Sequence, residues 1–178
     1  MDVNNPNIVL AGGATGGMWR STDNGQSWVK VTPAQDTVQT VTCIVQDTRS
    51  GKTNNWYYGT GEYASNLELP DNGAGFTTFL GGGIYSNVAV TSQGDVYAAL
   101  SNGKSQGIWH STDGIHWTDI TPTIFPAVYG RIVIASAPTN ANVLYVLANT
   151  PGNGVYSTQF SITGIQEVKN IPQTYSLL

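Results

Sequence analysis

The acidic side chains are the residues of this sequence that could do chemistry, because two carboxylates facing each other across a cleft can hydrolyse a glycosidic bond. Glu62 is a candidate catalytic residue, since the stretch GTGEY places it just past a predicted strand, where it could face a cleft. The alternative interpretation is that Glu62 caps a loop by accepting hydrogen bonds from backbone amides. The complete set of candidate carboxylates is Asp47, Glu62, Glu68, Asp71 and Asp95.

Other kinds of chemistry find less support in the sequence. His110 and His116 have no serine or cysteine partner at a recognisable spacing, and we interpret both as surface residues. The only cysteine, Cys43, excludes an internal disulfide and a thiolate metal cluster, and its strand pattern TVTCIVQD predicts a buried, inert thiol. No glycine-rich stretch is followed by a lysine and a helix, as a phosphate site would require. The sequence therefore predicts no metal site and no cofactor.

Composition indicates a single β-rich domain. Charged residues make up 10% of the 178 residues, whereas 40% are apolar and 21 are glycine, which is typical of a turn-rich β protein. A net charge of -4 with seven Lys and Arg argues against a nucleic-acid partner. No apolar run approaches the ~20 residues that a transmembrane helix needs. The beginning, MDVNNPNIVL, lacks the basic start and apolar stretch of a signal peptide.

The elements that must position these residues come from an internal repeat. Four segments that we predict to be strands combine Asn or Gly with an aliphatic-aromatic run: NPNIVLAGGA, NNWYYGTGEY, QGDVYAALSN and NANVLYVLAN. A second, glycine-led strand follows each of these segments. Alternating runs such as GRIVIASAP precede two of them and suit innermost strands, whereas WVKVTP and WTDITP suit outermost strands. A repeat of about 40–45 residues with several short strands is the spacing of a β-propeller blade. There, Glu62 would face the top or the central channel.

A second repeat, STDNGQSW, suggests how the blades are fastened. It is carried by Ser21, Asp23, Gly25, Ser27 and Trp28, and it returns one residue shorter as STDGIHW. The Asp side chain can accept hydrogen bonds from its own turn, and Gly can supply a positive φ. We predict that the tryptophan packs between blades. These residues are therefore predicted to be structural, and the motif lacks the clustered carboxylates of a calcium site. The residues of the second copy are Ser111, Asp113, Gly114 and Trp117.

The motif resembles the Asp-box, or BNR repeat, of the propellers of sialidases, sortilin-type receptors, xyloglucan-cleaving hydrolases and photosystem assembly factors. This resemblance implies that each motif forms the hairpin between the third and outermost strands of a blade, with Trp28 and Trp117 buried. Most of the chain is also similar to the N-terminal propellers of large secreted proteins of gliding bacteria, which usually end in a type IX secretion sorting domain. That similarity implies a secreted or cell-surface location.

The resemblance leaves the function open between binding and catalysis. A sialidase would need an arginine cluster, but only Arg20, Arg49 and Arg131 are present and the arginine motif that opens sialidase domains is missing. We expect Arg20 to cover the tryptophans of its own blade. We therefore expect a non-catalytic scaffold for protein or glycan binding, the alternative being part of a glycoside hydrolase completed outside this chain. Possible binding residues are Trp56, Tyr58, Tyr63, Phe76 and Phe79, although inter-blade packing is the alternative for Trp56 and Tyr58.

The fold class predicted is all-β, a β-propeller of four-stranded antiparallel blades, incomplete with about three to four of them. The single domain spans 1–178, with blade copies near 1–33, 38–87, 88–122 and 130–172. We expect it to be part of a longer secreted chain, with the rest of that chain among its partners.

One break in the repeat predicts missing material. After GGGIY the chain continues directly into SNVAVTSQGDVYAAL, with only 12 residues from Ile84 to Val96. About 25 expected residues, the outer strand of one blade and the inner strand of the next, would then be missing by natural deletion, by engineering or by omission. Such a loss would leave sheet edges open, so we expect a spatial break near Ser86 or a partner chain that supplies the strand.

Overall fold

The computed structural model describes residues 1–31, 40–61, 87–101, 105–123 and 125–150, and the backbone of residues 154–161. Twelve β-strands and no helix lie within these residues, and every strand pairing among them is antiparallel. The strands form four sheets, which we number in chain order. In this described part of the chain, no helix has the length and apolarity to cross a membrane.

Each sheet is a meander of strands consecutive in sequence, as short loops favour. Sheet 1 consists of β1 (Val9–Gly12), β2 (Met18–Ser21) and β3 (Val29–Lys30). Sheet 2 consists of β4 (Val41–Gln46) and β5 (Trp56–Thr60). Sheet 3 consists of β6 (Asn87–Val90), β7 (Val96–Leu100), β8 (Gly107–Ser111) and β9 (Thr118–Asp119). Sheet 4 consists of β10 (Ile132–Ala137), β11 (Asn140–Thr150) and β12 (Gly154–Ser161).

Sheet 3 corrects one prediction about the break in the repeat. The innermost strand of the third copy is not lost, because β6 pairs with β7 along its whole length and forms the first edge of this four-stranded sheet. The four residues NVAV are enough for a strand, since Val88 and Ala89 are both buried, one on each face of the sheet. The expected third strand of the second copy, around Ile84, and the predicted break at Ser86 lie outside the described residues.

The apolar core lies between the sheets, which are stacked in chain order. Met18 of sheet 1 packs with Trp56 and Tyr58 of sheet 2. The opposite face of sheet 2 carries Tyr57, which packs with Val88 and Val96 of sheet 3. The third interface joins Ala89, Tyr97, Ala99 and Ile108 of sheet 3 to Ile132, Ile134, Leu144, Val146 and Ala148 of sheet 4. Since successive side chains on a strand point to opposite faces, each inner sheet contributes to two interfaces.

The innermost strands are also linked by hydrogen bonds from one sheet to the next. The backbone N–H of Val88 donates to Sγ of Cys43 over 3.2 Å, which joins sheet 3 to sheet 2. In the same way the N–H of Ile134 in sheet 4 donates to Oδ1 of Asn87 over 2.8 Å. Cys43 and Asn87 occupy matching positions on their innermost strands. Cys43 pairs with Gly59 and Asn87 with Ala99, and each partner is the next-to-last residue of the second strand of that sheet. Cys43 is half-buried where the sequence predicts a buried, inert thiol, and burial raises the pKa of this thiol, which favours its neutral form.

An ion pair adds a polar link between sheets 2 and 3. The Asp47 carboxylate is fully buried and bonds the Arg49 guanidinium, with Nη2 to Oδ2 at 2.7 Å and Nε to Oδ1 at 3.0 Å. Nη1 of Arg49 then donates to the carbonyl of Gln93, in the turn that joins β6 to β7, over 3.0 Å. A buried carboxylate needs such a partner, because an unpaired buried charge is strongly destabilising.

We therefore predict that Arg49→Met lowers the free energy of unfolding by about 2 kcal/mol, below the usual range for buried pairs because the Arg49 side chain is one-third exposed. Denaturant titration measures this value. The control is Lys52→Met, an exposed cation in the same loop, which we expect to change the free energy by less than about 0.5 kcal/mol. The prediction is wrong if the two variants unfold at the same denaturant concentration.

Candidate functional site

Hairpin 1, residues Ser21 to Trp28, joins β2 to β3 and is closed by its own polar side chains. The Ser21 hydroxyl donates to Oδ1 of Asp23 over 2.7 Å and accepts the N–H of Gly25 over 2.8 Å. Asp23 in turn accepts the N–H of Ser27 at 2.9 Å through Oδ1 and its hydroxyl at 2.5 Å through Oδ2. Two residues of the turn have positive φ, Asn24 at 59° and Gly25 at 89°.

Hairpin 2, residues Ser111 to Trp117, joins β8 to β9 and has the same design with one residue fewer. The Ser111 hydroxyl donates to Asp113 and accepts the N–H of Gly114 over 2.8 Å. His116 takes the place that Ser27 has in hairpin 1, with its N–H 2.8 Å from Oδ1 and its ring Nδ1 2.6 Å from Oδ2 of Asp113. Only Gly114 has a positive φ here, at 77°, because hairpin 2 lacks a counterpart of Asn24.

These hydrogen bonds favour the charged form of both carboxylates. The hydroxyl of Ser27, with its N–H and the Ser21 hydroxyl, lowers the pKa of Asp23 from 3.8 to about 2. The His116 side chain and backbone N–H hold the pKa of Asp113 well below its usual range. A carboxylate that stays ionised and fully engaged by its own turn is suited to closing that turn, and not to giving up or accepting a proton at neutral pH.

Hairpin 2 is fastened to the neighbouring sheet as well as to its own. A Cβ atom added to Gly114 would lie 2.8 Å from both Cε1 and Oη of Tyr57 in sheet 2. Trp117 is half-buried and packs against the cluster of Tyr57, Val88 and Val96, as well as against Ala98 and Leu100. Glycine at this position thus serves two needs, a left-handed backbone and a close approach to the Tyr57 ring.

The carboxylates considered for catalysis that the structure describes are engaged in structural contacts. Asp47 forms the buried ion pair with Arg49. Oδ1 of Asp95 lies 3.0 Å from Nε2 of His110, whose ring stacks on Tyr97 with centroids 4.8 Å apart. His110 is therefore half-buried, and its interpretation as a surface residue was wrong, because it lies on the sheet face that carries Tyr97. His116 is exposed, as predicted.

No group of three His, Cys, Asp or Glu side chains suited to a metal ion occurs among the described residues. Glu62, Glu68 and Asp71 lie outside the described residues, as do the possible binding residues Tyr63, Phe76 and Phe79.

One solved structure similar to this chain is the crystal structure of the GH74 xyloglucanase from Xanthomonas campestris, with a TM-score of 0.66 and 20% sequence identity. The match covers 90% of this chain and 28% of that protein. No family profile and no curated protein sequence matches the chain. At this identity the likeness concerns the fold. The chain is an incomplete β-propeller. This confirms the predicted fold class, and the four sheets are blades of that propeller.

Trp28 corrects the prediction that both motif tryptophans are buried. Its side chain is 39% exposed, and its Nε1 donates to the carbonyl of Gly25 over 3.0 Å. Trp117, by contrast, has a buried Nε1 with no hydrogen-bond partner among the described residues. The difference arises from the neighbours: hairpin 2 packs on sheet 2, whereas no described blade precedes hairpin 1. The burial of this tryptophan is a property of the adjacent blade, not of the motif.

The aromatic residues of β5 are not available to stack on a sugar ring. Trp56, Tyr57 and Tyr58 are all buried, with Trp56 and Tyr58 facing blade 1 and Tyr57 facing blade 3. The proposal that Trp56 and Tyr58 bind a ligand is therefore wrong, and the alternative of inter-blade packing holds. Three consecutive aromatics are tolerated because a blade inside a propeller is covered on both faces.

Sequence reasoning missed one recurring position. A tyrosine occupies the same place on the second strand of blades 2, 3 and 4. Tyr57 pairs with Val45, Tyr97 with Ala89 and Tyr145 with Ala135 of the innermost strand of its own blade. Tyr57 and Tyr97 lie on the face that packs on the next blade, and Tyr145 lies on the corresponding face of blade 4. The signal was present in the sequence, since WYY, VYA and LYV each carry a tyrosine in the second position of the run.

Gly114→Ala is predicted to destabilise the protein more than Gly25→Ala. Both variants place alanine at a positive φ, which costs about 1–2 kcal/mol. Only the first also forces a Cβ into Tyr57, because the nearest contact at Gly25 is an ordinary 3.6 Å to Trp28. We expect an additional loss of about 1–2 kcal/mol for Gly114→Ala. Thermal or denaturant unfolding of both variants checks this, and equal losses would contradict it.

The hairpin carboxylates also predict a pH dependence. Because the pKa of Asp23 falls from 3.8 to about 2 on folding, its stabilising effect is complete above pH ~4 and is lost as the pH falls toward 2. Asp113 shifts in the same direction. In urea titrations between pH 6 and 2, the variant with Asp23→Asn and Asp113→Asn should therefore lose less stability on acidification than the natural protein. Parallel profiles for the two proteins would contradict this account.

Proposed function

We propose that this chain is a non-catalytic Asp-box propeller module that acts as a scaffold for protein or glycan binding. The observation that supports this is that the described carboxylates that could do chemistry form hydrogen bonds or ion pairs that stabilise the fold. Asp23 and Asp113 close their own turns, Asp47 is held by Arg49, and Asp95 contacts His110. The strand aromatics Trp56 and Tyr58 are buried. These groups stabilise the blades and leave recognition to the loops.

The module is proposed to belong to a secreted or cell-surface bacterial protein. The hairpin residues match the Asp-box pattern, and most of the sequence resembles the N-terminal propellers of type IX secretion cargo. We propose one domain with blade copies near 1–33, 38–87, 88–122 and 130–172, whose partners are a protein or glycan and the rest of a longer chain. The proposed contacts for that partner are Phe76 and Phe79, in the glycine-rich insert ASNLELPDNGAGFTTFLGGG (64–83), and Tyr63 just before it.

A second candidate function is part of a glycoside hydrolase. It is favoured by the structural likeness to a xyloglucanase, of whose chain this one spans 28%. In that case Glu62 is the acid that we propose within this chain, and the second carboxylate would come from outside it. A single carboxylate cannot supply both the acid and the base or nucleophile that glycosidases use.

Two assays on the purified chain separate these candidates. We expect no release of reducing sugar from xyloglucan, and binding on a protein or glycan array that Phe76→Ala with Phe79→Ala weakens. Thr77→Ala with Thr78→Ala, in the same insert, is the matched control and should bind as the natural chain does. Sugar release that Glu62→Gln abolishes and Glu68→Gln does not would overturn the scaffold proposal and support the hydrolase.

A further inference from the structure

Hairpin 1 places an asparagine amide next to a residue that has no side chain, in the pair Asn24 and Gly25. This is the one Asn–Gly pair that lies wholly within the residues the structure describes. Asn24 is exposed, and its amide side chain makes no hydrogen bond to that part of the chain. Asparagine is a thermolabile residue, because its side-chain carbonyl can be attacked by the next peptide nitrogen. Glycine leaves that nitrogen unhindered.

We propose that Asn24 is a modification site, at which its side-chain amide is converted to a carboxylate. The backbone nitrogen of Gly25 attacks Cγ of Asn24 and forms a new carbon–nitrogen bond. The bond from Cγ to the side-chain nitrogen breaks, and ammonia leaves with the proton of the Gly25 amide. Water then opens the cyclic imide at one of its two carbonyls. One opening gives aspartate, and the other gives isoaspartate, in which the main chain runs through Cγ.

Ser21 holds the nitrogen that must attack. In the closed hairpin the N–H of Gly25 donates to the Ser21 hydroxyl over 2.8 Å, and that hydroxyl donates to Asp23 over 2.7 Å. The Gly25 nitrogen cannot give up its proton and bond to Cγ while its N–H stays in this hydrogen bond. The bonds that close hairpin 1 therefore also slow the modification, and the reaction proceeds whenever the turn opens.

Hairpin 2 is protected at the corresponding place. The N–H of Gly114 donates to Ser111, but the side chain that precedes it is the carboxylate of Asp113. Hydrogen bonds from His116 hold the pKa of Asp113 well below its usual range, so this carboxylate is ionised at neutral pH. An ionised carboxylate is a much poorer target for a nucleophile than a neutral amide. We therefore expect the modification in hairpin 1 and not in hairpin 2.

The products alter the turn that keeps hairpin 1 closed. Aspartate at position 24 places a second negative charge beside the Asp23 carboxylate, and like charges repel. Isoaspartate lengthens the main chain just before Gly25 by a methylene group, which displaces the Gly25 N–H from Ser21. Since the ammonia is lost, the change is irreversible. Hairpin 1 thus contains a slow chemical clock on the fastening of its own turn.

Peptide mass spectrometry of the purified chain, incubated at mildly alkaline pH, tests the proposal. Trypsin cleaves after Arg20 and Lys30 and releases STDNGQSWVK, in which Asn24 is the only asparagine. We expect this peptide to gain the mass of an amide-to-acid conversion and to separate into aspartate and isoaspartate forms. Asn24→Gln is the control, because attack on the longer side chain forms a less favourable ring, and its peptide should keep its mass.

Three further variants test the role of Ser21. We expect Ser21→Ala to react about fivefold faster than the natural chain, the factor that one ordinary hydrogen bond is worth. Ser111→Ala removes the same bond from hairpin 2 and should leave the rate at Asn24 unchanged. Ser21→Thr keeps the hydroxyl and should react at the natural rate. In concentrated urea all these chains should react alike, because the hairpin is open in each.

Two results would overturn the proposal. One is a peptide that keeps its mass in the folded natural chain. The other is an equal rate for Ser21→Ala and Ser111→Ala under folding conditions, which would mean that the hydrogen bond to Gly25 does not hold back the reaction. Circular dichroism of each variant confirms that the rates are measured on folded protein.

Discussion

The packing of each blade on the next is the interaction on which this structure depends. The described blades have two to four strands, and a single sheet of that size cannot bury its own apolar side chains. Burial becomes complete only where a second blade covers the face, as between Tyr97 of blade 3 and Ile134 of blade 4. Trp28 and Tyr145 lie on faces that no described blade covers, and both side chains are exposed.

The hairpins matter because they hold the apolar contacts in place. In hairpin 2 the serine and aspartate fix the turn, and the glycine lets it approach Tyr57. The backbone atoms that a short turn would leave unpaired are satisfied locally by side chains. The serine and aspartate side chains of the hairpins, whose types and spacing resemble a functional site, therefore stabilise the fold, and the proposed recognition surface lies elsewhere.

Much of the fold was predictable from sequence because the repeats are local. The strand pairs, the turn chemistry of Ser21 and Asp23, and the propeller class follow from short patterns. Features that depend on a neighbouring blade were not predictable in this way. Trp28 carries the same motif as Trp117 yet is exposed, and His110 is covered by Tyr97 and held by Asp95. The short strand β6 escaped notice because four residues give a weak alternation signal.

The spacing of residues in the sequence contains two further signals, one for an ion pair and one for a recurring tyrosine. Asp47 and Arg49 are two residues apart after a strand, a spacing that allows an ion pair across a turn. The recurring tyrosine of the second strands was visible once the repeats were aligned. Glu62 was placed only relative to the end of a predicted strand, and position along a strand does not determine which groups surround a carboxylate.

The most direct test of the central claim, that hairpin 2 fastens blade 3 to blade 2, is a double-mutant cycle of Gly114→Ala with Tyr57→Val measured by denaturant unfolding. The cycle isolates the contact from the backbone effect of alanine at positive φ. We predict that Gly114→Ala destabilises the natural protein by about 1–2 kcal/mol more than it destabilises the Tyr57→Val protein, where the ring is gone. An equal loss in both backgrounds would mean that the hairpin does not bear on Tyr57, and it would contradict the account.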